Sequence, residues 1–431
     1  MLITNARLRH RGDALHDVET TDGRIAAVTP AAGTAAPGRD DVLDADGALL
    51  IPPFVDAHVH LDYANTVGQP RHNASGTLFE AIDIWADHKA EGYVTREAVL
   101  ENATAAVRAE VGNGVGFLRT HVDVTDPDLT ALDAVLELKD RVRDWCELQV
   151  IAFPQNGILA YPGGADLMAE AMRRGADVVG GIPHFERSRE SGVASLHHVF
   201  DLAERHDALI DVHCDEIDDD QSRYLEVMAE LAVERGWQGR VTASHAVAMA
   251  YYSPGYMAKL LPKLVQAEMR FAVNPTENLQ LQGWGQAAPM ARGVAPIKEL
   301  LEAGLNVALG QDSIADPWYP IGEGDLLRVL ESGLHVGHLL SEPMLQRCLD
   351  LITVNGARNL GLDLRDYGVH VGAEADLVLL DARDDKDALW HHADVLASVR
   401  RGRLVFRRPR REFTEAMEGF LPERPAARLA A

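Results

Sequence analysis

Two histidines one residue apart, His58 and His60, close an apolar run, LLIPPFVDAHVHL, over 49–61. A short apolar run bounded by turn signals reads as a buried strand, and alternate residues of a strand share a face. Both imidazoles therefore leave on the same side, which suits a divalent metal. In a chain with 18 histidines an H-x-H pair also arises by chance, so other segments must supply further donors. Polar side chains do end one apolar run after another. They are His121 and Asp123, Gln155, His184 and Glu186, His213 with Asp215 and Glu216, His245, Asn274, and Gln311, Asp312 and Ser313. Singly, each has a plain structural reading. Asp123 and Asp215 read first as helix caps, Asn274-Pro275 as a turn, and a lone His121 or His184 as a hydrogen-bonded core histidine. Cys214, next to His213 on a strand, faces the other way and reads as packing.

Together these residues build a mononuclear site. His58, His60 and His213 offer three nitrogens and Asp312 one oxygen, a set that suits Zn²⁺ or Fe²⁺ equally. A metal so held lowers the pKa of a water. Glu216, three residues after His213, is the natural proton shuttle, although a carboxylate at a helix start has the same appearance. His245 is placed to orient the attacking oxygen. Gln155, with one donor and one acceptor, suits an amide-like or pyrimidine edge.

The elements that must carry these side chains follow from the pattern of the chain. Apolar strand-like runs alternate with helical ones such as LFEAIDIWADHKAEG and ALDAVLELKDRV, and eight such strands can be counted. Alternation favours a parallel sheet, and eight units favour a closed (β/α)₈ TIM barrel whose strand ends share one face. A doubly wound open sheet is the competing architecture, but no G-x-G-x-x-G follows the first strand. The two ends of the chain are β-rich, with turn dipeptides Asp22-Gly23 and Arg401-Gly402. An Ala/Gly/Pro loop follows the first strands, and the last residues, 421–431, read as frayed. The expected domains are a small β-sandwich from 1–48 and 362–431, and a metal-dependent barrel over 49–361.

Composition bounds the partners. The 431 residues carry 41 basic and 66 acidic side chains, a formal charge of −25, which argues against nucleic acid or an anionic membrane. No segment approaches the ~20 apolar residues of a membrane span, and the start lacks the apolar stretch of a signal peptide. Three widely spaced cysteines suggest no disulfide framework. A cytoplasmic enzyme acting on a small molecule, assembled as a homo-oligomer, is expected.

The H-x-H at 58–60, HCDE at 213–216, SH at 244–245 and QDS at 311–313 resemble the amidohydrolase superfamily. Within it, SGTLFEAI, RTHVDV, AFPQNGI, GIPHFE, IDVHCDEIDDDQSR, VTASH and DPWYP are similar to segments of the bacterial cytosine deaminases. The resemblance runs through most of the chain. It implies one metal, bound by His58, His60, His213 and Asp312, with no lysine bridging two metals. It further implies proton transfer by Glu216, handling of hydroxide by His245 and Asp312, a grip on the ring by Gln155, and apolar walls from Phe153 and Trp318. One departure stands out: Ser313 replaces the second of two consecutive aspartates. A smaller, uncharged residue leaves room for a methyl group, worth roughly 1 kcal/mol of desolvation. The expected reaction is deamination of 5-methylcytosine to thymine, of cytosine to uracil, or of both. Hydrolysis of a related cyclic amidine or triazine (isopropylammelide, creatinine or isoguanine) is the alternative, and a metal-dependent binding protein is the non-enzymatic one.

Overall fold

The computed structural model describes residues 1–32, 41–284 and 291–411. Most of the Ala/Gly/Pro loop (33–40) and the terminal stretch read as frayed fall outside the described residues. The N-terminal strands are β1 (Leu2–Leu8), β2 (Leu15–Thr21), β3 (Arg24–Pro30), β4 (Val42–Asp44) and β5 (Leu49–Ile51). Eight parallel strands follow: β6 (Phe54–Val59), β7 (Val115–Asp123), β8 (Glu147–Phe153), β9 (Val178–Val179), β10 (Leu209–Cys214), β11 (Val241–His245), β12 (Arg270–Val273) and β13 (Asn306–Leu309). They hydrogen-bond in sequence order, with helices between them, as the (β/α)₈ pattern predicts. The chain then returns through β14 (Leu377–Leu380), β15 (Val395–Arg400) and β16 (Arg403–Arg407).

Closure of the barrel does not run strand to strand. It is made just beyond β13, where the Asp312 N–H donates to the His58 carbonyl (2.8 Å) and the His60 N–H to the Asp312 carbonyl (2.9 Å). The seam of the barrel therefore lies at the H-x-H motif.

The run 49–61, which reads as one strand, is two. Pro52 and Pro53 lack the N–H a ladder needs, so the chain leaves one sheet there and enters the other. β5 pairs with β1 and β14 in the terminal sheet, and β6 opens the barrel. The terminal strands form one hydrogen-bonded sheet, β16-β15-β14-β5-β1-β2-β3, with β4 also on β1. Its own small core includes Ile3, Val18, Ile25, Leu377, Leu379 and Val399. The two turn dipeptides close two-residue hairpins. Asp22 and Gly23 have φ of 50° and 77°, Arg401 and Gly402 of 48° and 73°, the paired positive φ of a type I′ turn.

One helix matters most for the site. Helix α1 (Leu78–Ala90) is N-capped by Thr77 and held at its far end by Lys89. The Lys89 ammonium donates to Asp123 (2.6 Å), to Thr125 and to Asn156, and the Trp85 indole also donates to Asp123 (2.9 Å). Asp123 is thus an anchor for α1; its other oxygen accepts the Thr125 N–H (2.7 Å), and it is not a helix cap because the next helix, Thr130–Val142, begins further along the chain. Asp215 does act as a cap. It accepts from the Tyr224 and Leu225 N–H groups (both 3.0 Å) at the start of the helix Tyr224–Glu234. All three cysteines are buried and free, and Cys214 packs in the main core. Among the described residues, no helix is long and apolar enough to cross a membrane.

Candidate metal centre and active site

The period-2 logic of the H-x-H strand holds in space. His58 and His60 point into the barrel mouth, and His213, at the end of β10, meets them there. His60 Nε2 lies 3.2 Å from His213 Nε2 and 3.5 Å from Asp312 Oδ1, and His58 Nε2 lies 3.3 Å from that same oxygen. These separations are the edges of a polyhedron about one ion: ligands about 2.1 Å from a tetrahedral metal stand about 3.4 Å apart. His58 Nε2 is buried with no hydrogen-bond partner of its own. Three imidazoles and a carboxylate that converge in this way fit a divalent cation.

The electrostatics agree. Burial drives His60 and His213 well below the ordinary imidazole pKa, so both are neutral and have lone pairs to give. Burial opposes ionisation of Asp312, but the imidazoles of His58 and His245 hold its carboxylate below the usual range. The backbone takes the left-handed conformation at Asp312 (φ 67°) and His245 (φ 66°), a cost that folds tolerate where a side chain must be aimed. Here it turns both side chains inward at the ends of their strands.

Around this core sits a cavity of 230 Å³. Glu216 and His245 line it together: His245 Nδ1 is 3.4 Å from Glu216 Oε1, and the Asn278 amide donates to that oxygen (3.4 Å). Burial, reinforced by the charge of Asp312, pushes the Glu216 carboxyl well above the ordinary carboxylate range. A carboxylic acid that keeps its proton can act as a donor. Gln155 lines the cavity from beyond β8, the third barrel strand, and Trp318 from beyond β13. The Trp318 ring stacks on Tyr63 (4.4 Å), which stacks in turn on His60 (4.5 Å). Leu78, Phe79 and Ile82 of α1 and Trp284 supply apolar lining.

Two of the sequence-derived residues lie elsewhere. Phe153 is not on the cavity surface; its buried ring stacks on His213 at 4.0 Å and supports that imidazole from behind. Ser313 is buried off the cavity with its hydroxyl unpartnered, next to the carboxyls of Glu277 and Asp316. Of the other strand-end residues, His184 lines the cavity and Glu186 accepts three backbone N–H groups of 158–160. Asn274 donates to Asp312 Oδ2 (3.0 Å), so it orients a carboxylate as well as making a turn.

Sequence reasoning missed Glu277 and Asn278. Both project from the first turn of a short helix after β12, Pro275–Leu281, and no strand periodicity points to them. Glu277 is 3 % exposed and lines the cavity. Because β12 is the seventh barrel strand, Glu277 stands across the mouth from Gln155. Asp211 was also missed, although it shares a strand face with His213.

Residues 41–406 match the amidohydrolase family. The chain belongs to that family, and is a hydrolase acting on C–N bonds. It is similar to 5-methylcytosine deaminase from Klebsiella pneumoniae, whose structure with 5-fluorocytosine superposes with a TM-score of 0.93 at 47% identity, over 96% of this chain and all of that one. It is also 30% identical to N-isopropylammelide isopropyl amidohydrolase from Pseudomonas sp. strain ADP, over 94% of this chain and 96% of that one. The structure of the corresponding Burkholderia multivorans enzyme superposes with a TM-score of 0.79 at 28% identity, over 94% of this chain and 98% of that one.

Proposed function

We propose that this protein hydrolyses the exocyclic amine of a free cytosine-type base, converting 5-methylcytosine to thymine or cytosine to uracil with release of ammonia. The observation that carries the reading is the buried Glu216 carboxyl, 3.4 Å from His245, lining the cavity beside four converging candidate metal donors. The likeness to a deaminase with 5-fluorocytosine bound supports the choice of ring.

In this reading His58, His60, His213 and Asp312 hold one divalent ion, Zn²⁺ or Fe²⁺, which the donor set suits equally; elemental analysis of the purified protein decides between them. Such an ion makes a water acidic enough to supply the nucleophile near neutral pH. The residues of the chain do the rest. Gln155 grips the amide edge of the ring. Glu216 protonates N3 as the water oxygen bonds to C4, and His245, neutral through burial that pushes its pKa down to about 3, and Asp312 pass to Glu216 the proton that the water loses, which restores Glu216 as the acid. The C4–N bond then breaks. Glu216 protonates the amine as it leaves and takes up the last proton of the attacking oxygen, so the water's two protons replace the one given to N3 and the one given to ammonia. Glu277, across the mouth from Gln155, offers an acceptor on the far side of the ring.

A preference for the 5-methyl group is supported by the likeness to 5-methylcytosine deaminase; Ser313, expected to leave room for that methyl, lies off the cavity and acts only through its neighbours. Since Glu277 lines the cavity beside Ser313, and burial together with the charges of Asp312 and Asp316 pushes its carboxyl well above the ordinary range, an aspartate at 313 would add a further acidic group against it. The test compares kcat/KM for cytosine and 5-methylcytosine in the parent and in S313D. The parent is expected to favour the methylated base by up to ~10- to 200-fold, the range open to one methylene-sized group, and S313D to lose that margin. A parent enzyme that strongly prefers cytosine overturns the 5-methyl assignment. The identity to the isopropylammelide enzyme supports one second reading, release of an alkylamine from a triazine. A panel that measures ammonia and isopropylamine separately distinguishes the two. The same reading takes the enzyme as a cytoplasmic homo-oligomer; sedimentation measures the state.

A further inference from the structure

The imidazole of His58 has two nitrogens, and the site described above uses one of them. The other, Nδ1, lies 2.9 Å from the hydroxyl of Ser244 on β11. That hydroxyl lies 2.6 Å from Asp211 Oδ1 on β10. The second oxygen of Asp211 accepts from the Arg119 guanidinium on β7 at 2.9 Å. Arg119 is fixed in turn by the Gln149 side chain (2.7 Å) and the Asn359 carbonyl (2.7 Å). Each of His58, Ser244, Asp211 and Arg119 is fully buried. Four strands of the barrel are thus tied together by one line of hydrogen bonds that ends on a candidate metal ligand.

The direction of the protons along this line follows from the chemistry of its members. Paired with a guanidinium, Asp211 is an acceptor only, so the single hydroxyl proton of Ser244 goes to Asp211. The serine oxygen is left with lone pairs to offer His58, whose ring proton must then sit on Nδ1. The tautomer of a histidine is set by the partner of its other nitrogen. His58, His121 and Asp211 also stand close enough together to suggest a second metal site. The occupied oxygens of Asp211 and the positive charge of Arg119 beside it argue against a cation there. The cluster is a hydrogen-bond relay.

We propose that Ser244 and Asp211 are positioning residues that fix the His58 proton on Nδ1 and present its Nε2 lone pair to the metal. The proposal rests on the reading that His58 is a ligand. The test is the zinc affinity of the purified, metal-stripped protein, measured by competition with a chromophoric chelator, together with the visible absorption of the Co²⁺-loaded form. S244A is expected to weaken zinc binding by ~10- to 100-fold, the usual effect of losing such a partner, and to shift the cobalt bands. D211N is expected to do the same if it folds; if it does not, because Arg119 loses its counter-charge, S244A decides alone. V241A is the control, since it removes buried volume from the same strand without touching the relay, and it should leave zinc affinity unchanged.

Zinc affinity and cobalt spectrum unaltered in S244A, or a loss matched by V241A, would overturn the proposal. A parent protein that binds no divalent ion would overturn it too. Zinc binding reads independently of turnover. A parent that binds zinc but deaminates no cytosine-type base sinks the functional reading and leaves this one standing.

Discussion

In the proposed shuttle role Glu216 must hold a proton before it can give one, and its surroundings favour the protonated form. Burial and the nearby charge of Asp312 both favour the neutral acid, while the Asn278 amide and His245 fix its orientation. E216Q keeps the shape of the side chain and removes the transferable proton. It is expected to cut turnover by ~100-fold or more with metal content unchanged; turnover near that of the parent would refute the shuttle role. At this scale the sequence was most informative where residues obey strand alternation. His58 and His60 were placed by it, and Asp56, Arg119 and Asp211 obey the same rule one layer deeper, each two residues before a histidine. Glu277 and Asn278 obey no such rule, because a helical turn, not a strand, delivers them. Phe153 and Ser313 show the opposite failure: their neighbours in sequence are in the site, but their side chains turn away from it.

Elements were legible where their composition was unambiguous. Eight apolar runs became eight strands, and the Asp-Gly and Arg-Gly turns became hairpins. Pro52-Pro53 shows what an apolar count misses, since hydrophobicity continues across a point where the ladder cannot. A contact between elements that no pattern announces joins the terminal sheet to the barrel. His392, just before β15, lies 2.8 Å from Asp325, whose other carboxylate oxygen caps the helix Leu326–Val336. The hydrogen bond to Asp325 raises the His392 pKa above its ordinary value. Burial works against Asp325 ionisation, yet His392 keeps its pKa below the ordinary carboxylate value. The stabilisation is therefore full below the ordinary imidazole value of about 6.5 and is lost as pH rises through the raised one. On the acid side it is present above the ordinary aspartate value of about 3.9 and fades as pH falls through the lowered one. His392 is half exposed, so the effect is small. H392N, which tolerates the positive φ of this residue, should lower the melting temperature at pH 6 and leave it nearly unchanged at pH 9. A deficit that persists at pH 9 would count against the ion pair.

For the whole molecule, the candidate metal site and the closure of the barrel are the same place. Asp312 both completes the donor set and makes the two backbone bonds that join the last strand region to the first. Anything that binds the folded state and not the unfolded chain stabilises the former by mass action. Stripping the metal is expected to lower the melting temperature, and restoring Zn²⁺ to raise it in proportion to the logarithm of free zinc. A melting temperature indifferent to chelation would mean the donors do not hold an ion in the folded protein. The terminal sheet adds ties of its own. Arg400 on β15 reaches Glu147 on β8 (2.7 Å), and Arg9 on the N-terminal side reaches Asp350 (2.9 Å).

The position of the seam also has a consequence for synthesis on the ribosome. β5 and β6 emerge early, one waiting for β14 and the other for Asp312. Until those late segments leave the exit tunnel, the nascent chain displays an unpaired strand edge and two imidazoles, the candidate ligands His58 and His60, without the Asp312 that meets them in the fold. Domains usually fold as they are made, but this barrel and this sheet must both wait for the C-terminal part of the chain. Ribosome-bound fragments that stop short of Asp312 should therefore be sensitive to protease and prone to capture by chaperones, with or without zinc.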